Sequence, residues 1–488
     1  MQYLSFAFAI FVIVIFSIYC LLPQKFRWTI LLAGSVFFYL CFEPRYIFFL
    51  MFVALSTFLL GRFSGNEKRN NVYFIICILL NVGLWFAIKV LPWFGDTINS
   101  IISKCFEGVS ISIPQFIIPI GISYYVLQAL SYVIDVYKKR IEPEKNFFKY
   151  LLYLSFFPTI VQGPISKYGQ LREKLTAGIK IGYVEFKRSL LLIAFGLIKK
   201  MVIADRIGIL ANDCFQNYME LEGVILYVGA VSYAIQLYMD FSGCVDVCRG
   251  VSSLFGIELM DNFSAPYFAK SIKEFWGRWH ISLSTWLKDY IYIPLGGNRR
   301  GKIRKYMNLL VTFGVSGIWH GAGFNYMAWG FLQGGFQIVG ECTYNARSKV
   351  KRFLKIESDS ISDKIYRTLI TFHLTVFSWI FFRSNGLMSA VEYIMRMFNG
   401  WHWWRIFGGG LFLDGLSFAH IVVLVINIFV ITFIDYVRSK KEISVENCIL
   451  GLHVLLRWTI YFILIFDIIF FGVYGKGYDM AGFLYGGF

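Results

Sequence analysis

Long apolar runs separated by short polar loops dominate the pattern of the chain. Roughly 20 apolar residues in a helix cross about 30 Å of hydrocarbon. Runs that reach or approach this length cover 4–22, 28–43, 46–61, 72–91, 113–136, 189–205, 223–243, 306–342 (broken at Gly321), 367–384, 419–437 and 456–475. They lack the alternation of a membrane β-barrel, and helices satisfy their own backbone hydrogen bonds in lipid. The pattern therefore predicts an all-α polytopic integral membrane protein with about eleven or twelve transmembrane helices.

Basic residues collect in the loops between these runs, and such loops mark the cytoplasmic side. These residues are Lys25 and Arg27; Arg62, Lys68 and Arg69; Lys138, Lys139 and Arg140; Arg299, Arg300, Lys302, Arg304 and Lys305; Lys349, Lys351 and Arg352; and Arg438, Lys440 and Lys441. If all of them lie inside, the segments 93–112, 207–222 and 386–418 face outward. Both termini are then predicted outside. No cleavage site follows the first run, 4–22, so it is predicted to be a retained span.

Three segments do not fit simple crossings. Segment 147–165 lies between two basic loops, so we predict a re-entrant or interfacial segment. In 244–305, charged residues alternate with aromatic ones. That pattern fits a buried polar insert or an amphipathic loop on the cytoplasmic membrane surface. Segment 344–366 is predicted to be a solvated linker. We expect one membrane domain over 1–488, with N-terminal helices at 1–137, a core at 138–343 that holds the re-entrant segments, and C-terminal helices at 344–488.

The composition agrees with a membrane protein, and this affects how the positive net charge is interpreted. Of the 488 residues, 57% are hydrophobic, and the mean hydropathy is +0.60. The net charge of +17 falls in short loops, so it indicates topology and contact with anionic membrane lipids rather than nucleic acid. Nine cysteines form neither a disulfide framework nor a zinc pattern, and no metal site is predicted. Motifs for nucleotide hydrolysis, dinucleotide binding, serine hydrolases and zinc proteases are absent.

Two of the six histidines directly follow a tryptophan in segments apolar enough for the membrane interior. They are His280, after Trp279, and His320, after Trp319. An ionisable group at membrane depth is costly and indicates function. A neutral imidazole can accept a proton from a hydroxyl, and small residues around His320 would let a substrate approach. The alternative for His320 is a hydrogen-bonded histidine between packed helices. The other four histidines are predicted to be packing or loop residues.

The sequence around His280 is compatible with a helix. Helical spacing would place Trp276, His280 and Ser284 on that face. The face could hold a phosphate-bearing or thioester ligand, and a belt of tryptophan and arginine at the membrane interface is the open alternative. A nearby carboxylate could orient a histidine or simply cap a helix. The further candidates for binding or orientation are Asp240, Arg278, Trp279, Lys288, Asp289 and Trp319.

Short motifs follow one another in a characteristic order along most of the chain. They are Pro119-Ile-Gly121, Phe156-Phe-Pro158, Gly163-Pro164-Ile165, Asp240-Phe-Ser-Gly243, Asn262-Phe263, Pro266-Tyr267, Glu274-Phe-Trp276, Arg278-Trp-His280, Pro294-Leu-Gly-Gly297, Trp319-His320-Gly321-Ala322, Trp379 to Arg383 and Phe471-Gly472. In this order they resemble the membrane-bound O-acyltransferase (MBOAT) family. Within it they resemble the branch of the alginate O-acetylases and the D-alanyl-teichoic-acid transferases, and the block at Pro294 is closer to the alginate side.

The resemblance implies a bowl of helices around a central tunnel, with His320 as the catalytic residue and His280 as a second functional histidine. It also implies an acyl donor on the cytoplasmic side and an acyl group that leaves outward. Two departures leave the acceptor open. Cys244 and Val245 stand where the family usually has Tyr-Ser, and Gln333 stands where alginate-type members often carry a histidine.

We therefore expect an O-acyltransferase in the cell membrane, with His320 as the general base that activates a hydroxyl for attack on a thioester carbonyl. The expected donor is acetyl-CoA or another phosphopantetheine thioester, with no bound cofactor. His280 would position the thioester, with Asp240 or Asp289 as its orienting partner. Arg278 and Lys288 could bind the donor's phosphates.

Three partners are expected besides lipid: an extracellular polysaccharide, an SGNH-type relay acetyltransferase as its alternative, and an acyl carrier protein if the donor is not a coenzyme. One alternative function is transfer of D-alanine from a carrier protein to teichoic acid. Another, from a different class, is a proton-coupled transporter or flippase whose buried histidines relay protons.

Overall fold

The structure, a computed structural model, describes residues 3–64, 70–106, 111–112, 116–406, 416–441 and 444–473. All regular elements in these residues are helices, which confirms the all-α class. Several predictions fall outside this described part of the chain. These are the basic residues Lys68 and Arg69, residues 113–115 and 474–475 of two apolar runs, residues 107–110 and 407–415 of two segments predicted to face outward, and the two chain termini at 1–2 and 474–488.

The described residues of Met1–Ile193 and Cys244–Met260 form one compact unit. Its helices are α1 (Phe6–Leu21), α2 (Arg27–Leu40), α3 (Tyr46–Ser64), α4 (Asn70–Lys89), α5 (Leu91–Cys105), α6 (Ile122–Tyr137), α7 (Phe147–Ser155), α8 (Tyr168–Thr176) and most of α9 (Tyr183–Leu197). Helices α3 and α6 pack against α4 in this unit.

Residues 147–165 do not form a spanning helix. Helix α7 has nine residues, and the chain from Phe156 to Ser166 is buried without regular structure. The hydroxyl of Tyr3 donates to the main-chain oxygen of Phe157 over 2.7 Å, and Ser35 Oγ accepts from the N–H of Phe157 at 3.1 Å. Protein therefore covers this irregular backbone, which is the condition under which it is tolerated at membrane depth.

The described residues of Ala194–Gly243 and Asp261–Leu484 form a second unit. A π-helix, Ile198–Ala204, opens it, and a second π-helix covers Lys288–Tyr292. Its α-helices are α10 (Asp205–Gln216), α11 (Val224–Leu254, shared with the first unit), α12 (Ile272–Arg278), α13 (Ile281–Leu287), α14 (Lys302–His320), α15 (Phe324–Cys342), α16 (Tyr344–Phe353), α17 (Ile361–Arg383), α18 (Leu387–Met397), α19 (Phe418–Lys441), α20 (Val445–Leu450) and α21 (Val454–Phe471).

Six helices of the described residues are long and apolar enough to cross a membrane: α3, α4, α11, α17, α19 and α21. Helix α1 is apolar but has 16 residues. Helices α2 and α6, with 14 and 16 residues, cover two further predicted runs. The apolar run 189–205 is divided between α9 and the first π-helix. The predicted count of about eleven or twelve spans therefore stays a prediction beyond these six.

The segment 344–366 is not simply a solvated linker. It contains α16, and Asp363, at the start of α17, is buried. The ammonium group of Lys351 forms an ion pair with Asp363. Asp363 thus holds the end of α16 beside the start of α17, whereas Glu357 and Asp359 are exposed.

The apolar run 306–342 is broken at Gly321, as predicted, and its halves form a helical hairpin. Helices α14 and α15 have 19 residues each. Lys305, in the first turn of α14, is ion-paired with Glu341, in the last turn of α15. The open ends of the hairpin therefore lie together. This agrees with the predicted topology, in which the basic loops before α14 and after α15 are on the same side of the membrane.

Glycines allow the two hairpin helices to touch through their backbones. A Cβ atom at Gly317 would lie 2.4 Å from the main-chain oxygen of Tyr326. One at Gly330 would lie 2.3 Å from the main-chain oxygen of Phe313. Real Cβ atoms do not approach oxygen this closely, so any larger residue would push the helices apart. Small residues at such contacts are typical of membrane helix pairs.

We expect Gly330→Ala to destabilise the protein by about 1–3 kcal/mol, because the added methyl group forces the hairpin open. The matched control is Gly335→Ala in the same helix, where a Cβ atom would meet nothing within 4 Å. The measurement is the unfolding midpoint of each purified variant in detergent. Equal midpoints for the two variants would contradict the close contact.

Candidate active site

His280 occupies a sharp break between α12 and α13. Its backbone is left-handed, with φ 44° and ψ 53°. Helix α12 ends at Arg278, and Ile281 starts α13. The prediction that Trp276, His280 and Ser284 share one helix face is therefore wrong, because no single helix contains them.

Asn262 holds this break in place. Its main-chain oxygen accepts from the N–H of Ile281 at 3.0 Å. Its side-chain Oδ1 accepts from the N–H of Ser282 at 2.9 Å. The first N–H groups of a helix have no partner within that helix, so Asn262 caps α13 from 20 residues upstream. This cap fixes the direction in which the imidazole leaves the backbone.

The imidazole of His280 is completely buried. Its ring meets Phe241 with centroids 4.8 Å apart and Trp319 with centroids 6.2 Å apart, both edge to face. Neither ring nitrogen has a hydrogen-bond partner among the residues that the structure describes. Burial lowers the pKa of His280 from 6.5 to about 3, so the ring is neutral at physiological pH. This burial favours the polar insert over the surface loop for this part of 244–305.

His320 is the last residue of α14 and is 1% exposed. Its ring is enclosed by the edges and faces of three aromatic side chains. The centroid distances are 4.8 Å to Trp319, 5.1 Å to Trp329 and 5.3 Å to Phe382. Gly321 follows in extended conformation, and a Cβ atom there would lie 2.3 Å from the ring of Tyr326. The chain can leave His320 on this path only because the next residue has no side chain.

Trp319 contacts both imidazoles, so the two histidines belong to one cluster. In the sequence, His280 belongs to the charged segment 244–305, and His320 directly precedes the break at Gly321 in the run 306–342. The structure instead places His280 and His320 against the same indole. Two imidazoles around one buried ring can act on one bound substrate.

Sequence analysis missed Trp329 as a member of this cluster. Its ring is fully buried and stacks on Trp379, with centroids 5.6 Å apart and an angle of 18°. The signal was its neighbour Gly330, because a glycine at a helix contact indicates which residues of α15 face α14. Phe382 belonged to the motif at the end of α17, but nothing in the sequence placed it beside His320.

Several polar atoms around the histidines are buried without a partner in the described part of the chain. Besides the nitrogens of His280 they are Asn262 Nδ2, Ser282 Oγ, Ser316 Oγ and Trp329 Nε1. Ser316 lies one helical turn before His320, and Ser282 lies two residues after His280. Buried polar groups in proteins almost always have partners, and bound water or a ligand supplies those that the chain lacks. The cluster is therefore suited to a polar substrate.

The remaining candidates on α12 and α13 have structural partners. The indole N–H of Trp276 donates to Gln333 Oε1 at 3.0 Å, and Gln333 in turn donates to Ser378 Oγ at 2.7 Å. Arg278 pairs with Glu274 at 2.8 Å, so its guanidinium is already engaged.

Trp279 and Ser284 support the break itself. Trp279 is 1% exposed and packs on Phe275 and Trp379, with centroids 5.4 and 5.2 Å away. The hydroxyl of Ser284 donates to the main-chain oxygen of Trp279 at 3.2 Å. Both side chains thus stabilise the turn that presents His280.

The predicted carboxylate partner of His280 is not found. Asp240 Oδ1 pairs with the buried Lys200 Nζ at 2.5 Å, and Lys200 also pairs with Asp205 at 2.7 Å. Asp289 is half-buried and Lys288 is exposed, and neither hydrogen-bonds His280. Sequence analysis missed Lys200, although a lysine inside the apolar run 189–205 was itself a signal of function or pairing.

Comparison with known proteins gives a consistent result. The sequence model of the MBOAT, membrane-bound O-acyltransferase family, matches residues 140–382, a range that contains both histidines. The probable alginate O-acetylase AlgI of Pseudomonas putida is 30% identical, over 88% of this chain and 87% of its own length. The peptidoglycan O-acetyltransferase of Helicobacter pylori is 31% identical, over 80% and 75%. The teichoic acid D-alanyltransferase of Bacillus subtilis is 26% identical, over 69% and 84%.

The burial of a neutral His280 predicts a specific loss of stability in acid. Its folded-state pKa of about 3 lies below the ordinary value of 6.5, so the unfolded chain binds the proton more readily. Its contribution to stability is complete above pH 6.5 and falls as the pH drops from 6.5 towards 3, by up to about 1 kcal/mol per pH unit. In His280→Asn, which tolerates a left-handed backbone, this part of the pH dependence should disappear.

The measurement is the difference in unfolding midpoint between pH 7 and pH 4.5, which covers roughly the upper half of this window. The exposed His402 provides the control variant His402→Asn, which should keep the wild-type difference. The same acid loss in both variants would show that His280 is not buried in its neutral form.

Proposed function

Because the chain belongs to the membrane-bound O-acyltransferase family, we propose that this membrane acyltransferase moves an acetyl group outward across the membrane. The donor is acetyl-CoA on the cytoplasmic side. The acceptor is a hydroxyl group of a cell-envelope polysaccharide, or of a relay protein that serves it. The basic loops inside and both termini outside give the direction of transfer.

The observation that carries this proposal is the contact of both buried imidazoles with Trp319. Acyl transfer from a thioester needs a base, orientation and stabilisation of the developing oxyanion, and it needs no cofactor. The cluster offers two imidazoles as candidate bases. Its polar atoms without a partner among the described residues, including Asn262 Nδ2 and Ser316 Oγ, are candidates for stabilising the oxyanion.

In this mechanism His320 is the general base. It accepts the proton of the acceptor hydroxyl while the oxygen attacks the thioester carbonyl. The carbon–sulfur bond then breaks. The imidazolium returns its proton to the departing thiolate, and the donor leaves as a thiol. The indole rings of Trp319 and Trp329, with centroids 4.8 and 5.1 Å from that of the imidazole, lie close enough to stabilise the transient cation.

His280 positions the thioester in the same cluster. As a neutral ring with two unpaired nitrogens, it can donate one hydrogen bond and accept another. Arg278 and Lys288 remain proposed contacts for the donor's phosphates, although Arg278 would have to share its guanidinium with Glu274.

Similarity favours acetyl over D-alanyl transfer. The two relatives named for O-acetylation are 30% and 31% identical to this chain, and the teichoic acid D-alanyltransferase is 26% identical. D-alanyl transfer from a carrier protein remains the second candidate.

We expect His320→Ala to reduce acyl transfer by about 10²–10⁴-fold, because the acceptor hydroxyl loses its base. His320→Gln should show a similar loss while it preserves more of the packing. His402→Ala, at an exposed histidine, is the control and should transfer at the wild-type rate. Normal O-acylation of an outer-face acceptor by a correctly folded His320 variant would refute the assignment.

The acyl group can be identified with labelled donors. Purified protein in liposomes is given labelled acetyl-CoA inside in one sample, and labelled D-alanyl carrier protein inside in another. The proposal predicts that label from acetyl-CoA reaches an external hydroxyl acceptor and that the D-alanyl label does not. The reverse result would establish the second candidate. Movement of a solute without covalent transfer would instead indicate a transporter.

A further inference from the structure

Asp435 is a buried carboxylate without a cation. It lies near the C-terminal end of α19 and is 6% exposed. Its Oδ2 atom accepts a hydrogen bond from the hydroxyl of Tyr238, which carries no charge. The other buried carboxylates of the described residues each pair with a lysine or an arginine, and these are Asp135, Glu144, Asp240, Asp246, Asp363 and Glu446. Within the same part of the chain, Asp435 is the exception.

Asp435 lines a cavity of about 180 Å³ between α11, α17, α19 and the segment 265–268. Ile428, Thr432 and Asp435 are one helical turn apart and form the wall that α19 contributes. The opposite walls are mostly apolar, and Asp435 is the one charged side chain among the described residues of the lining. A buried negative charge without a counter-charge is costly in a membrane protein. The cavity therefore suits a ligand that brings a positive charge.

The cavity lies at the end of α19 that the basic residues predict to be cytoplasmic. Asp435 precedes Arg438 by three residues, and Arg438 belongs to one of the basic groups that mark the inner side. Arg438 pairs with Glu446 instead of Asp435. On α19 the side chains of Phe429 and Phe433 are 71% and 58% exposed, as expected for a helix face that lipid covers. The carboxylate is therefore placed near the headgroups of the inner leaflet.

We propose that this cavity binds the primary ammonium headgroup of a phospholipid, with Asp435 as its counter-ion. The ammonium group supplies the positive charge that Asp435 lacks, together with three hydrogen-bond donors. The apolar lining excludes water from the pair and so strengthens it. A lipid already has its acyl chains in the bilayer beside α19, whereas a water-soluble amine would lose its hydration without that anchorage. This inference does not rest on the proposed function.

The bound headgroup would lie behind the turn that presents His280. The rings of Tyr238 and Tyr267 line the cavity and both contact Trp279, each with a centroid distance of 6.0 Å. Trp279 directly precedes His280, whose left-handed backbone forms the break between α12 and α13. Asp435 is thus connected to that turn through Tyr238 and Trp279. A lipid in the cavity would hold the tyrosines against which Trp279 packs.

The test is competition between two lipids for the purified full-length protein in detergent. Phosphatidylethanolamine and phosphatidylcholine with identical acyl chains are supplied in equal amounts, and native mass spectrometry measures which lipid is held most tightly. The two headgroups have the same charge, but the quaternary ammonium group of phosphatidylcholine has no N–H donor. We expect the wild type to retain phosphatidylethanolamine at least about tenfold more, as one charge-assisted hydrogen bond would provide.

Asp435→Asn should abolish this preference, because it removes the charge and keeps an oxygen that can accept from Tyr238. Thr432→Phe fills the cavity beside an intact carboxylate and should also abolish it. Unfolding midpoints identify a variant that fails to fold, and the second variant provides the test in that event. The matched control is Asp467→Asn in α21, whose carboxylate accepts from Asn427 Nδ2 at 3.3 Å and does not line the cavity. It should keep the wild-type preference.

Equal retention of the two lipids by the wild type would overturn the proposal. So would a preference that survives in a folded Asp435→Asn or Thr432→Phe variant, or one that is lost in Asp467→Asn.

Propylamine, a soluble primary amine without acyl chains, distinguishes a lipid headgroup from a free amine. Retention of phosphatidylethanolamine in a large excess of propylamine supports the lipid, whereas its displacement would overturn that assignment. The measurement involves no acyl transfer. A protein that keeps the lipid preference but transfers no acyl group would reject the proposed function and leave this site intact, and an active protein without the preference would do the opposite.

Discussion

The contact between the backbones of α14 and α15 is the constraint on which the candidate active site depends. At Gly317 and Gly330 each helix touches the main chain of the other. This approach brings Trp329 of one helix against His320 at the end of the other. Asn325 then fastens the closed end of the hairpin to α17, which supplies Phe382. A wider hairpin would move these aromatic rings apart, and the imidazole of His320 would no longer be enclosed.

Within this enclosure, burial determines the chemical state of the groups. Aromatic rings surround both histidines and exclude water, which keeps His280 neutral. The same exclusion strengthens any hydrogen bond that a substrate makes with the unpaired nitrogens of His280 or the hydroxyl of Ser316. These polar groups are thus buried among apolar side chains without partners of their own, which reduces stability, as is common in active sites. Trp319 joins the two histidines into one site.

The sequence was informative where the determining features are local. Apolar runs and basic loops predicted helices and their order, and Gly321 predicted the break at His320. The left-handed backbone at His280 escaped prediction, because its cap comes from Asn262, far upstream. The partner of Asp240 escaped for the same reason, since Lys200 belongs to another helix.

Hydrogen bonds between side chains on different helices also escaped prediction from the sequence. The role of Gln333 is visible only in the structure, where its side chain is hydrogen-bonded to both Trp276 and Ser378. Such pairings depend on contacts between α12, α15 and α17, which periodicity within a single helix does not encode. The Trp-His pairs in apolar segments identified the candidate histidines, whereas packing alone could reveal that one tryptophan joins them.

A double-mutant cycle of His280→Asn and His320→Ala tests the central claim, that both imidazoles serve one site, most directly. Initial rates of acyl transfer are measured for the wild type, both single variants and the double variant, each at saturating donor. If the histidines act on one substrate, the double variant should be little slower than the slower single variant, because residues that act as a unit are not additive. Losses that multiply fully in the double variant would contradict a single site.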